Sequence, residues 1–386
     1  MPSVYVHIPF CLSKCYYCDF VSAGHEEKLA QRYTMALERE SAMWAAELSG
    51  QPGGDSSWLA APTVYLGGGT PTTLTVSQLR RILTAVRQSF GWIPDAEVTI
   101  EANPRTHVFT TPGELEMLRE AGINRLSIGA QTFDNDLLRM IGRDHGAIDV
   151  EAAVAAARSA GFDNLSIDLI FALPGQTLEG WSCTLDRALE LGTDHISLYN
   201  LTIEEGTVFG ERHRRGEIEP ASSDLEADMY EVAIEKLCGA GLEHYEISNF
   251  ALPGMASRHN QVYWRLEDYL GIGVGAHSCI RNVRFASGRN TLLHVRALES
   301  GRLPVETRET PDLRELLGEA MWLGLRLLRG VDLESIRRRF GADPRETFGE
   351  AISFLVSRGL LRMDGDLLSL TRAGLFLGNQ VFCHFA

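Results

Sequence analysis

Six short β-branched runs, each followed by a helical stretch or a polar loop, confine this chain to a parallel α/β architecture. They are "SVYVHIP" (3–9), "TVYLGG" (63–68), "EVTIEANP" (97–104), "RLSIGAQTF" (125–133), "NLSIDLIFALPG" (164–175) and "HISLYNLT" (195–202). Helical patterns separate them, among them a polar stretch at about 26–49, "VSQLRRILTAVRQSF" (76–90), "IDVEAAVAAARSAG" (148–161) and "TLEGWSCTLDRALELG" (177–192). A Gly/Pro/Ser-rich connector, "GQPGGDSSWLAAP" (50–62), precedes the second run. Strands alternating with helices form parallel sheets, and right-handed crossovers put the helices outside a curved or closed sheet. The expected fold is a full or partial (β/α)6 barrel of the TIM type. Residues 1–250 are assigned to it and 251–305 to a connecting segment. Residues 306–386 form a C-terminal module in which helices precede a hairpin turning at Asp364–Gly365, as in a winged helix.

Bulk properties remove several functional classes. The 386 residues are 45% hydrophobic and 23% charged, a globular composition without low-complexity tracts. A formal charge of −15 opposes attraction to nucleic-acid phosphates, so no nucleic-acid partner is expected. Nor is a basic recognition helix expected in the C-terminal module, which is read as a lid or docking element. No signal-peptide pattern and no run of about 18 apolar residues occurs, which predicts a soluble, cytoplasmic chain without an amphipathic membrane anchor. Seven cysteines, an odd number with three crowded together, suit a reducing compartment. Cys183, Cys238, Cys279 and Cys383 stand alone and are expected to be small buried apolar residues.

Cys11, Cys15 and Cys18, in "CLSKCYYC", follow the first strand with spacing C-x3-C-x2-C. Clustered thiolates at a strand end bind metal or exchange disulfides. A structural zinc needs four ligands, and His7 is the available fourth. A four-iron cluster given three cysteines keeps one iron open to another ligand. Polar residues also stand at or near later strand ends, where α/β barrels assemble their sites: the glycines of "YLGGGTP" (65–71), Glu101, Gln131 with Arg143 beyond it, and Asp168. The glycines allow close backbone approach, and a carboxylate in an apolar strand such as Asp168 needs a partner or ligand.

The three-cysteine loop and these strand-end signatures resemble the radical S-adenosylmethionine (SAM) superfamily, whose members carry a [4Fe-4S] cluster on a partial (β/α)6 barrel. The likeness to its coproporphyrinogen dehydrogenase branch runs from residue 3 to the C-terminus, through "DLIFALPGQT", "SLYNLTIEEGT", "YEISNFA" and "GIGVGAHS". That resemblance implies SAM contacts at Tyr5, Tyr17, Gly68, Gly69, Thr70, Glu101, Gln131, Arg143 and Asp168. The dehydrogenases continue C-x3-C-x2-C-x-C after a longer N-terminal arm, whereas position 20 here is Phe20 and Cys11 comes early. The related heme chaperones keep three cysteines followed by x-Phe and carry H-N-x-x-Y-W, matched here by His259, Asn260, Tyr263 and Trp264 in "RHNQVYWR". A histidine can give heme iron an axial nitrogen, and Tyr263 and Trp264 offer flat faces to a macrocycle. His277 is a second histidine expected near the barrel mouth. The resemblance therefore implies a heme chaperone that hands heme to acceptor hemoproteins, membrane-bound ones included, with a homodimer left open. The alternative is a radical enzyme that oxidatively decarboxylates coproporphyrinogen III to protoporphyrinogen IX.

Overall fold

A computed structural model describes residues 2–50 and 60–386, so most of the expected connector at 50–62 lies outside the described residues. All six expected strands form: β1 (Ser3–Ile8), β2 (Ala61–Gly68), β3 (Trp92–Ala102), β4 (Arg125–Gln131), β5 (Leu165–Phe171) and β6 (His195–Asn200). They are parallel and adjacent in chain order. Register aligns β-branched residues across them: Val64 faces Val98 on the neighbouring strand, Ile128 faces Ile167, and Ile167 faces Ile196. The crossover helices pack outside, each driving its apolar stripe onto the sheet. Helix Val76–Phe90, for instance, buries Leu79, Ile82, Leu83 and Val86, and a Thr75/Gln78 capping box closes its N-terminus.

Residues 243–309 continue this sheet, so the segment read as a connector is built into the barrel. β7 (Glu243–Glu246), β8 (Asn249–Ala251), β9 (Tyr269–Ile272), β10 (His277–Ile280), β11 (Val283–Ser287) and β12 (Val305–Glu309) complete a twelve-stranded order β12-β11-β10-β9-β1-β2-β3-β4-β5-β6-β8-β7. The sheet stays open, since β12 and β7 are its edges. Helix Glu27–Ser49 crosses the added part. Its fully buried Glu40 pairs with His294 at 2.9 Å and accepts the Gly273 N–H at 3.0 Å.

The C-terminal module has helices Leu313–Gly324, Leu333–Phe340 and Pro344–Ser357, then the hairpin β14 (Leu361–Asp364) and β15 (Leu367–Leu370), with β13 (Val331–Asp332) pairing alongside. Helix Pro344–Ser357, which leads into the hairpin where a recognition helix would stand, has no basic residue in its last turn, whereas the preceding helix Leu333–Phe340 is basic there. Arg337 pairs with Glu334 at 2.7 Å, and Arg339 donates to the Arg265 and Leu266 carbonyls. The acidity of the whole chain hides this local charge.

Three of the four solitary cysteines depart from expectation. Cys279 is buried, but Cys183, Cys238 and Cys383 are exposed. Helix phase decides the first two: Leu178–Glu190 turns Trp181, Thr184, Leu185 and Ala188 inward, and Ser223–Gly239 turns Met229, Ala233, Ile234 and Leu237 inward, leaving each cysteine on an outer face.

The module joins the sheet at β7. The Ile247 N–H donates to the Arg326 carbonyl (3.2 Å) and the Leu328 N–H to the Tyr245 carbonyl (3.1 Å). Between these bonds Glu246 is 1% exposed, accepts from the Asn249 amide, and is pushed up to about 7 by burial, which Asn249 and Arg326 only partly offset. A carboxyl raised in the folded state binds protons that the unfolded state releases, so its contribution to stability falls as pH rises from about 4.5 through 7. Glu246→Gln removes that titration. The stability of the variant minus wild type, measured by urea unfolding of the metal-free chain, should rise by about 2 kcal/mol between pH 5 and pH 8. A pH-independent difference would contradict this account of Glu246.

Candidate cluster and cofactor site

The cysteine loop leaves β1 over the C-terminal ends of the parallel strands. Phe10–Cys11 pairs with Ala23–Gly24, so the loop closes on itself, and the Ala23 N–H donates to the Pro9 carbonyl at 2.8 Å. Neighbouring elements hold its middle: the Tyr16 N–H donates to Ile141 and the Phe209 N–H to the Tyr16 carbonyl. Gly142, at φ +78°, leaves the space that the Tyr16 ring occupies.

Beneath the loop lies a cavity of about 350 Å³. Cys11, Cys15, Cys18, Tyr17, Gly68, Gly69, Thr70, Glu101, Gln131, Arg143 and Asp168 all line it. Tyr5 does not; its hydroxyl bonds the His7 ring at 3.1 Å and its ring stacks on Tyr65. The strand ends and the cysteine loop together account for eleven of the wall's 24 residues. Ser127, Phe20, Tyr199 and Asn200 line it too. The last two end β6 and follow the same strand-end rule, so the sequence did carry their signal.

Each wall residue has a local cause. A Cβ on Gly68 (φ +114°) would fall 2.6 Å from the His7 ring, and one on Gly69 2.7 Å from the Pro9 backbone. These glycines thus let β2 close against the end of β1, a contact within the chain. Gln131 ends β4 at φ +67°, in the left-handed region, where the β4–β5 register shifts. Gly129 makes room for two side chains, because a Cβ there would meet the Gln131 amide nitrogen at 2.8 Å and the Arg143 guanidinium at 2.9 Å.

The charges are arranged to accept a polar ligand. Glu101 accepts from the Tyr65 hydroxyl (2.9 Å) and the Gly68 N–H (3.1 Å), yet burial and then the Asp168 charge push it up to about 7. Burial also raises Asp168, against the hydroxyls of Ser197 and Ser127, the latter 3.1 Å away. Arg143 is buried, which opposes its charge, but Tyr17, Cys15, Asp144 and Cys18 hold it cationic, and its Nε has no partner. Burial pushes the Cys11 thiol up to about 11, with the Thr70 hydroxyl 3.8 Å from its sulfur.

A four-iron cluster fits this donor set better than one zinc ion does. Among the described residues no three His, Cys, Asp or Glu side chains converge on a single ion. His7, the fourth ligand a zinc site would need, is occupied on both ring nitrogens, by the Tyr5 hydroxyl and by the Val21 carbonyl at 2.8 Å. Three free thiols round a cavity can each take a different iron, and Arg143, whose Nε has no partner, lines the same cavity beside Glu101 and Asp168.

The H-N-x-x-Y-W segment lies elsewhere. It forms helix Arg258–Trp264, whose first N–H groups, those of Arg258 and His259, both donate to the Glu97 carboxylate at 2.9 Å. His259 is 1% exposed. Its Nδ1 bonds the Thr63 hydroxyl (2.7 Å), its Nε2 bonds the Tyr263 hydroxyl (2.9 Å), and its ring stacks on Tyr65. Burial, then the Arg125 charge, push it down to about 3. Thr63 and Arg125 lie at the N-terminal ends of their strands, so this histidine plugs the barrel at the end opposite the cysteines. With both nitrogens engaged inside the chain, it is not free to ligate iron. None of the four motif residues lines the cysteine cavity, and His277 is exposed on β10 away from it.

Residues 5–188 match the radical SAM superfamily and residues 312–377 match the HemN C-terminal domain. The heme chaperone HemW of Lactococcus lactis is 38% identical over 386 residues, covering 99% of this chain and 97% of that protein. HemW of Bacillus subtilis is 36% identical, covering 100% and 99%. Coproporphyrinogen III oxidase (HemN) from Escherichia coli, described as a radical SAM enzyme, superposes with a TM-score of 0.84 at 26% identity, covering 100% of this chain and 90% of that one. By its cysteine loop, its barrel and this end-to-end similarity, the chain belongs to the HemW heme-chaperone family of radical SAM proteins.

Proposed function

We propose that this chain binds heme and delivers it to acceptor hemoproteins. The observation that carries the reading is similarity to HemW chaperones over the full length of both partners. Phe20, on the cavity wall where the coproporphyrinogen dehydrogenases place a fourth cysteine, supports it. Delivery in the cytoplasm, acceptors that include membrane-bound hemoproteins, and a dimeric carrier are parts of the same proposal; no described helix is long and apolar enough to cross a membrane.

In this reading Cys11, Cys15 and Cys18 hold a [4Fe-4S] cluster, and SAM occupies the cavity beside it. When bound, the cluster supplies one iron without a protein ligand, to which SAM attaches. Arg143, with a free N–H, would donate to the SAM carboxylate. Glu101 and Asp168 would accept from its ammonium and ribose hydroxyls, and either contact would favour the ionised form that burial now disfavours. Gly68, Gly69 and Thr70 would shape the wall, with Tyr17 and Gln131 flanking. Tyr5 would act from behind, through its stacking on Tyr65. In the H-N-x-x-Y-W helix, His259, Asn260 and Tyr263 would position the segment under the barrel and Trp264 would face heme.

The anaerobically reconstituted chain should take up heme with a shifted Soret band and leave coproporphyrinogen III undecarboxylated in the presence of SAM and reductant. Catalytic formation of protoporphyrinogen IX would reverse the choice in favour of the enzyme. Cys15→Ser should lose the brown cluster absorbance and most of its iron while the far-UV circular dichroism of the barrel persists. Retention of a full complement of iron would remove Cys15 from the ligand set.

A further inference from the structure

A second cavity, of about 540 Å³, lies between the end of helix Arg258–Trp264 and the C-terminal module. Its size falls within the roughly 300–1,000 Å³ that holds cofactor-sized ligands. Its floor is apolar and aromatic, with Trp264, Leu327, Ile336 and Phe340 among the lining residues. Three exposed arginines rim it, Arg265, Arg329 and Arg339, in a chain whose formal charge is −15.

The positive charge of this rim is only thinly compensated. Arg339 donates to backbone carbonyls, and Arg265 bonds the neutral Gln261 amide at 2.6 Å with Glu267 no closer than 3.9 Å. Asp332 also lines the cavity, but its carboxylate caps helix Leu333–Phe340 through the Glu334 and Ser335 N–H groups. Burial, then the neighbouring Arg329 charge, hold Arg265 below its ordinary value. Two buried donors beside the cavity are also unsatisfied: the indole N–H of Trp264, which lines it, and Nε of Arg326, whose guanidinium lies 4.8 Å from the Trp264 ring.

A ligand that answers these features is flat and apolar over most of its surface and carries carboxylates along one edge. We propose that heme docks in this cavity, its macrocycle against Trp264 and Phe340 and its propionates on Arg265, Arg329 and Arg339. The proposal rests on the heme-carrier reading and adds where heme sits, at the barrel end away from the cysteines. Among the described residues lining the cavity there is no His, Cys, Met or Tyr, so the chain offers the iron no ordinary axial ligand there. Heme would be held through its edge and faces, leaving the iron to a ligand from an acceptor, which suits transfer. Carboxylate recognition by arginine is independent of the metal, so iron-free protoporphyrin IX should occupy the same site.

The test is a titration of the full-length reconstituted chain with heme and with protoporphyrin IX, in wild type, Arg329→Glu and Ser335→Trp. Both substitutions fall on exposed side chains of the cavity rim, one reversing a charge and one filling space. Each should weaken binding of both porphyrins by about tenfold or more, with cluster absorbance and SAM affinity unchanged; Ser335→Trp also loses the Ser335 Oγ bond to Asp332, so its fold is checked by far-UV circular dichroism. If wild type binds heme and both variants bind it equally well, the location is wrong while the carrier reading stands. If wild type binds no heme, the carrier reading fails first.

Discussion

The Glu97 carboxylate on β3 accepts the first two N–H groups of helix Arg258–Trp264, and this contact separates one end of the barrel from the other. A helix N-terminus carries unsatisfied donors and a partial positive charge, so a buried carboxylate is its natural partner. Once the helix is anchored there, His259 closes on Thr63 and stacks on Tyr65, and the N-terminal ends of the strands are sealed. The C-terminal ends remain open, and the strand-end residues converge beneath the cysteine loop. Strands β2 and β3 thus each contribute to the plug at one end, through Thr63 and Glu97, and to the site at the other, through Gly68 and Glu101.

Aromatic side chains span the space between the two ends. Tyr65 stacks on His259 below and donates to Glu101 above, while Tyr5 stacks on Tyr65 and bonds His7 beside the loop. These rings are packed and hydrogen-bonded within the barrel, which ties the plug to the position of the Glu101 carboxylate. The same scaffold serves HemN, a radical SAM enzyme, at a TM-score of 0.84. Fold alone cannot separate a carrier from an enzyme, and the difference must lie in local features such as Phe20 at the cavity wall.

The barrel and part of its cavity wall were legible because parallel strands separated by helices have few topologies, and because strand ends collect polar residues wherever a site exists. Glu101, Gln131 and Asp168 could be read that way one strand at a time, and Tyr199 and Asn200 yield to the same rule. The end of the barrel to which His259 belongs could not. Its partners Thr63 and Glu97 are distant in sequence, and a seven-residue helix gives no periodicity by which to orient it. The strands β7 to β12 escaped for a related reason: they are three to five residues long and mostly antiparallel, paired by hairpins or by contacts across the chain. Arg337 to Arg339 were hidden by reading charge over the whole chain when the local surface decides what binds.

If this two-ended architecture is right, the iron of bound heme and the iron-sulfur cluster are held apart by the length of the barrel. A strand such as β4, seven residues from Arg125 to Gln131, spans about 20 Å at the usual rise. The most direct measurement is the enhancement of the reduced cluster's electron-spin relaxation by paramagnetic heme in one reconstituted preparation. The account predicts weak dipolar broadening, corresponding to a separation of about 20 Å or more. Strong coupling, with heme iron lying against the cluster at the cysteine end, would contradict it.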